Sequence, residues 1–225
     1  MTKINSDIFS FFKELDQNNN RVWFEANKKH FKSLEAEMKV FSAQLETEMN
    51  IFDRIEKTKI FRIYRDVRFS KDKTPYKTHF GVSFHREKPA LRGGYYLHIK
   101  PGDSILATGF WNPNKEDLFR IRKELEVDAS EFRAVIADSK LTKSWGKLTG
   151  DVLKVAPKGF AKEHKDIDLL RQKQYLFLHK YTDSEVLSDG FLKDVAQRFN
   201  AIRPFFDLMS GVLTTDLNGV SLLED

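Results

Sequence analysis

Residues 61–77 read FRIYRDVRFSKDKTPYK, an alternating stretch that runs into a turn. Apolar Phe61, Ile63, Val67 and Phe69 recur at every second position, interrupted by Arg65, which predicts a β-strand over about 60–70. The opposite face would then carry Arg62, Tyr64, Asp66, Arg68 and Ser70. Asp66 and Arg68 would sit two residues apart, a rise of ~7 Å. A guanidinium is a planar fork matched to carboxylate or phosphate, so Asp66 would orient an arginine toward a ligand oxyanion.

The positive charge of the chain is concentrated here. Of its 225 residues the net charge is +5, and residues 61–80 hold six basic groups against two aspartates. The remaining 32 basic and 31 acidic groups nearly cancel. That distribution favours one localised positive site over a broad nucleic-acid coat. Lys71, Lys73 and Lys77 extend the field around the turn that Asp72 and Thr74-Pro75 encode.

On either side of this stretch the periodicity changes. Upstream, Phe31, Leu34, Met38, Phe41, Leu45 and Met49 form the stripe of a long amphipathic helix, preceded by a short helix that starts at Ser6-Asp7. Downstream, further strands are expected at about 78–86, 94–100 and 104–111, joined by short Pro- and Gly-bearing links that favour an antiparallel meander. Helices follow from Asn114 and Asp128, and Lys140 to Phe160 reads as irregular or strand-like. Asp166 would cap a brief helix, a strand covers Gln174–Tyr181, and a last helix runs from about Asp189 with Pro204 kinking or restarting it. The expected fold is α+β, a single domain over 1–225: a mostly antiparallel meander with helices packed on one face.

At 40% hydrophobic residues and twenty Phe, the chain supports an aromatic core, and it contains no apolar run of membrane-spanning length. The start, MTKINSDIFSFFKELD, does not read as a secretory signal. Without cysteine there is no disulfide framework, thiolate metal site or cysteine nucleophile. A soluble cytoplasmic protein with no membrane partner is the expectation.

R-I-Y-R-D-V-R-F-S-K-D-K-T-P-Y-K-T (Arg62 to Thr78) resembles the hallmark of the uncharacterised, mainly bacterial family called domain of unknown function 2461. Asn19-x-Arg-x-Trp-Phe24, Gly94-Tyr95-Tyr96, Gly109-Phe110-Trp111-Asn112-Pro113 and Pro157-Lys158-Gly159-Phe160 support the resemblance, which runs along nearly the whole chain. It implies one domain and singles out the same basic stretch. No activity, cofactor or catalytic residue comes with it.

The expected site is therefore an anion-binding floor, for phosphate or carboxylate, built from Arg62, Tyr64, Arg68, Lys71, Lys73 and Lys77. Asp66 and His79 are the candidates for proton transfer, and hydrolysis of a phosphate ester or acyl group is the reaction such a site would suit. His79, Gly81, Ser83 and His85, with Tyr96, His98 and Lys100, would join the floor if the strand register brings them to one face. His79, His85 and His98 would make a three-imidazole metal site if they converged, with Asp66 as fourth ligand. Nothing else in the spacing supports that, and no metal or cofactor is assigned. Two rival readings remain: a binding module whose basic turn docks on nucleic acid or an acidic protein, and an Arg–Asp network that only fixes the sheet. Glycine-rich phosphate loops, dinucleotide fingerprints, hydrolase elbows and zinc-protease motifs do not occur.

Overall fold

The structure is a computed structural model that describes residues 3–223. Asn5 caps α1 (Ser6–Gln17) by accepting the N–H of Asp7, and Asn20 caps α2 (Arg21–Met49) by accepting the N–H of Trp23. The buried side of α2 contains Phe31, Leu34, Met38, Phe41, Leu45 and Met49, the stripe expected from its periodicity. The strands are β1 (Ile55–Ile60), β2 (Phe80–Arg86), β3 (Gly94–Ile99) and β4 (Ser104–Phe110). Between β4 and the last strand come α3 (Lys115–Val127), α4 (Ser130–Ala137), α5 (Ser139–Trp145) and α6 (Ile167–Leu170). Then come β5 (Tyr175–Tyr181), α7 (Asp183–Val186), α8 (Phe191–Ala201) and α9 (Arg203–Thr214). The sheet order β1-β2-β3-β4-β5 is an antiparallel meander, so the chain is α+β.

The chain divides into two compact units. The first takes the residues up to Phe84, Tyr96–Leu106 and Lys180–Gln197, and the second takes the rest, so the boundaries fall inside β2, β3, β4, β5 and α8. In the first unit, alternation along β2 and β3 buries Phe80, Val82, Phe84, Leu97 and Ile99. Phe80 meets Phe12 of α1 at 5.0 Å between ring centroids and Phe31 of α2 at 5.8 Å. Tyr96 and His98, pointing the other way, are only half-buried. That second side of the sheet carries the polar residues.

The second unit is built around aromatic pairs such as Tyr95–Phe206 and Phe177–Phe205. Arg86 is fully buried there and donates to the Arg92 carbonyl at 2.6 Å, with its guanidinium 4.7 Å from the Phe206 ring centre. Pro204 stands in the first turn of α9 and so restarts a helix, where its missing N–H is harmless.

Several local expectations are corrected. Residues 61–79 are not a strand. The Phe61 N–H donates to the Gly81 carbonyl at 2.9 Å, and beyond it the chain leaves the sheet and folds on itself. One isolated antiparallel bridge, Tyr64 to Tyr76, holds the two limbs, with Arg65 N–H to Pro75 O and Lys77 N–H to Ile63 O. The in–out alternation survives from Phe61 to Arg68 because any extended segment shares it. It fails at the tip, where Phe69 is 96% exposed. The span expected to be irregular opens with helix α5, capped by Asp138, which accepts the N–H groups of Lys140 and Leu141. Asp166 makes no cap bond and instead accepts from Arg133 Nε at 2.6 Å. Asp128 bonds the N–H and hydroxyl of Ser130 ahead of α4.

Candidate functional site: the basic loop and the polar side of the sheet

The loop 61–79 is held by its own charged side chains. The Arg65 guanidinium bonds both the Asp72 carboxylate and the Thr74 hydroxyl. Asp72 also accepts from the Thr74 backbone N–H at 2.9 Å, and these bonds pull its carboxyl down to about 2. Lys73 Nζ donates to the Val67 carbonyl at 2.9 Å, and Lys77 Nζ to the Arg62 carbonyl at 3.0 Å. At the loop base, Asn19 Nδ2 donates to the Tyr76 carbonyl, and the Tyr76 N–H donates back to Asn19 Oδ1. Arg65, Asp72, Lys73 and Asn19 therefore spend their polar groups on the loop.

Arg68 and Asp66 form a two-bonded ion pair, Nε to Oδ1 at 2.9 Å and Nη2 to Oδ2 at 2.6 Å. Both side chains are exposed, and the guanidinium holds Asp66 below the usual carboxylate range. Tyr64 lies half-exposed over Phe24 and Tyr76. Lys71 is exposed and Arg62 projects outward; among the described residues the Arg62 guanidinium has no hydrogen bond or ion pair.

A different grouping forms where the loop base meets β1, β2 and β3. Lys59 Nζ lies 5.2 Å and Lys77 Nζ 5.6 Å from the Phe61 ring centre. Burial, then Arg62 and Lys59, push the Lys77 ammonium below its ordinary value. Phe61 meets Tyr96 edge-on at 6.1 Å. Gly81 makes room for this pair: a Cβ there would stand 2.7 Å from the Tyr96 hydroxyl and 3.3 Å from the Phe61 ring. The Tyr96 hydroxyl is 3.2 Å from His98 Nδ1, and the His98 and His79 ring centres lie 4.0 Å apart, tilted by 31°.

Burial sets the protonation of this cluster. His79 is pushed down to about 3 by burial, with His98, Lys77 and Lys100 adding to it. His98 is lowered by burial as well, against the opposing pull of Asp103. Burial raises Tyr96, so its phenol keeps its proton beside His98 Nδ1. The site is a set of neutral donors flanked by lysines.

Two hollows lie beside it. One of about 280 Å³ is lined by Asn19, Arg65, Asp72, Lys77 and His79, among others. The other, of about 340 Å³, is lined by Lys13, Lys100, Gly102 and Asp183, and the two share Asp16 and Thr78.

The structure thus brings His79, Tyr96 and His98 together, as a shared sheet face requires, while His85 belongs to the second unit. Among the described residues no three His, Asp or Glu side chains are grouped to hold a metal ion. Lys59 carries no signal in the basic stretch, because it precedes it on β1. His164, in a His-x-Asp-x-Asp run, is occupied by backbone: Nδ1 accepts the Asp166 N–H at 3.1 Å and Nε2 faces the Glu126 carbonyl at 3.2 Å.

An α+β meander with a long, internally bonded basic loop defines the class of the protein. The chain belongs to the family described as conserved hypothetical protein (DUF2461), whose sequence profile matches residues 7–208. No curated protein and no solved structure matches it. Among the described residues no helix is long and apolar enough to cross a membrane.

Proposed function

We propose that the protein binds a small anion, a phosphate or a carboxylate, at the base of the basic loop. The observation that carries the reading is the convergence of Lys59 and Lys77 on one Phe61 ring, beside an Arg62 guanidinium with no carboxylate partner. Like charges repel, and an anion relieves that repulsion. Arg68 is committed to Asp66, so the reading centres on Arg62 and on Lys77, whose ammonium has two further donors beyond its bond to the Arg62 carbonyl, and adds Lys59, Tyr96 and His98. As an enzyme it would hydrolyse phosphate esters or acyl groups, with the cations holding the developing charge and the Tyr96–His98 pair moving a proton.

Thermal unfolding against phosphates, nucleotides and carboxylates at fixed ionic strength tests this. A ligand at one hundred times its dissociation constant adds ~2.7 kcal/mol, worth roughly 2–4 °C per kcal/mol at this size. The shift should shrink in Arg62→Ala and Lys59→Ala, whose side chains hold no loop bond. No shift with any anion contradicts the reading.

A second reading rests on Phe69. A ring 96% exposed at a loop tip, 5.9 Å from the Arg68 guanidinium and two residues from Lys71, suits docking on nucleic acid. Affinity would then fall steeply with salt, and Phe69→Ala would weaken it, whereas a pocket for one small anion gives a shallow slope.

A further inference from the structure

We infer that the anion taken by this site is a tetrahedral dianion of the phosphate type, and that its binding carries one proton onto the closely set His79–His98 pair. The inference rests on the anion-binding reading above and names its ligand and its regulation. Lys59 and Lys77 converge on Phe61 with Arg62 in electrostatic reach of Lys77, and among the described residues none of the three pairs with a carboxylate. A monoanion would leave most of that charge unbalanced, whereas a dianion offsets more of it. Tetrahedral oxygens also accept from several directions, which suits a guanidinium fork and two ammonium groups better than a planar carboxylate does.

The proton follows from the pair. Two imidazole rings 4.0 Å apart cannot both carry charge without strong repulsion, so the pair takes up one proton at most. The charged groups that face it are Lys77 from the loop, Lys100 at the end of β3 and Asp103 in the following turn, with Asp16 of α1 and Arg65 and Asp72 of the loop lining the hollow that His79 shares and the Tyr96 hydroxyl beside His98 Nδ1. Without a ligand, the two lysines and burial keep the pair neutral, and Asp103 alone pulls the other way. A bound dianion reverses that balance and makes one imidazolium favourable. Dianion and proton therefore bind together, and each raises the affinity of the other.

Sulfate is the cleanest probe, because it stays a dianion over the whole range in which histidines titrate. Calorimetric titration of the full chain with sulfate, phosphate and acetate should show the two tetrahedral anions binding well ahead of acetate. Sulfate affinity should rise about tenfold between about pH 8 and about pH 6. At about pH 6, the lower end of that range, wild-type protein in two buffers of different ionisation heat should take up close to one proton per sulfate, a readout that needs no variant. His98→Gln, checked for folding by circular dichroism, should flatten the pH dependence while keeping a weaker sulfate site. Equal binding of acetate and sulfate, or sulfate binding without proton uptake, overturns the inference and leaves an ordinary anion site standing. Absence of binding by every anion at every pH overturns the anion-binding reading itself.

Discussion

Asn19 and Tyr76 are joined by two backbone-directed bonds across 57 residues of chain: Nδ2 to the Tyr76 carbonyl at 3.0 Å, and the Tyr76 N–H to Oδ1 at 3.1 Å. A carboxamide is the one side-chain group of this size that donates and accepts in the way a neighbouring strand would. Tyr76 also stacks on Phe24 of α2 at 4.1 Å, so the base of the basic loop is fixed to the helix by a polar clip and an aromatic contact.

Replacing Asn19 by Ala removes both bonds at a half-buried position. The expected cost is about 1–3 kcal/mol, read as a lower melting temperature and as faster proteolysis within 61–79. Asn19→Asp should recover little, because a carboxylate accepts from the Tyr76 N–H but cannot donate to its carbonyl.

Arg65 and Arg68 look alike in sequence and should behave differently. Arg65 is mostly covered and ties Asp72 and Thr74 together, so Arg65→Ala should loosen the loop and lower the melting temperature measurably. Arg68 pairs with Asp66 in open solvent, where ion pairs contribute little, so Arg68→Ala should leave stability nearly unchanged. Equal losses from the two variants would contradict this division.

Gly81→Ala places a methyl group against the Tyr96 hydroxyl and the Phe61 ring. It should destabilise the protein by about 1–3 kcal/mol, and part of the loss should be recovered in the Gly81→Ala, Tyr96→Phe double variant. A double-mutant cycle with no coupling would show that Tyr96 does not occupy the space Gly81 leaves.

The depressed His79 gives the stability a sign. Above the unfolded value near 6.5 both states are neutral and His79 contributes nothing to the slope. As pH falls below that value the unfolded chain takes up a proton that the folded chain refuses until about 3, so stability drops. His98, lowered by burial, acts in the same direction. Denaturant unfolding between about pH 7.5 and about pH 5 should show this decline, and His79→Gln should make it shallower.

We propose that the two compact units unfold together, since their boundaries fall within strands and a helix instead of in linkers. Circular dichroism and tryptophan fluorescence should then trace one coincident transition. Two separated transitions would mark two domains.

The stripe on α2 was legible because a 3.6-residue period leaves one interpretation for a run of that length. The meander was legible from its short links. The basic stretch was not, because alternation is a property of any extended chain, while a strand also needs a neighbour, and that neighbour is invisible in sequence. The strand next to β2 is Ile55–Ile60, so the edge position expected for 61–70 was already filled. The same displacement hid Lys59. Tyr96 and His98 could be placed on one face by counting, but their meeting with His79 depends on register. Two caps went unread: Asp138 ahead of α5, and Thr182-x-x-Glu185, a capping box that starts α7.

The central claim is that an anion binds where Lys59, Arg62 and Lys77 meet the Tyr96–His98–His79 cluster. Nuclear magnetic resonance of labelled protein titrated with inorganic phosphate tests it most directly. Saturable shifts are expected at Phe61, Lys77, His79 and His98, with the Arg68–Phe69 tip unmoved. Shifts confined to the tip, or no shifts at all, would contradict it.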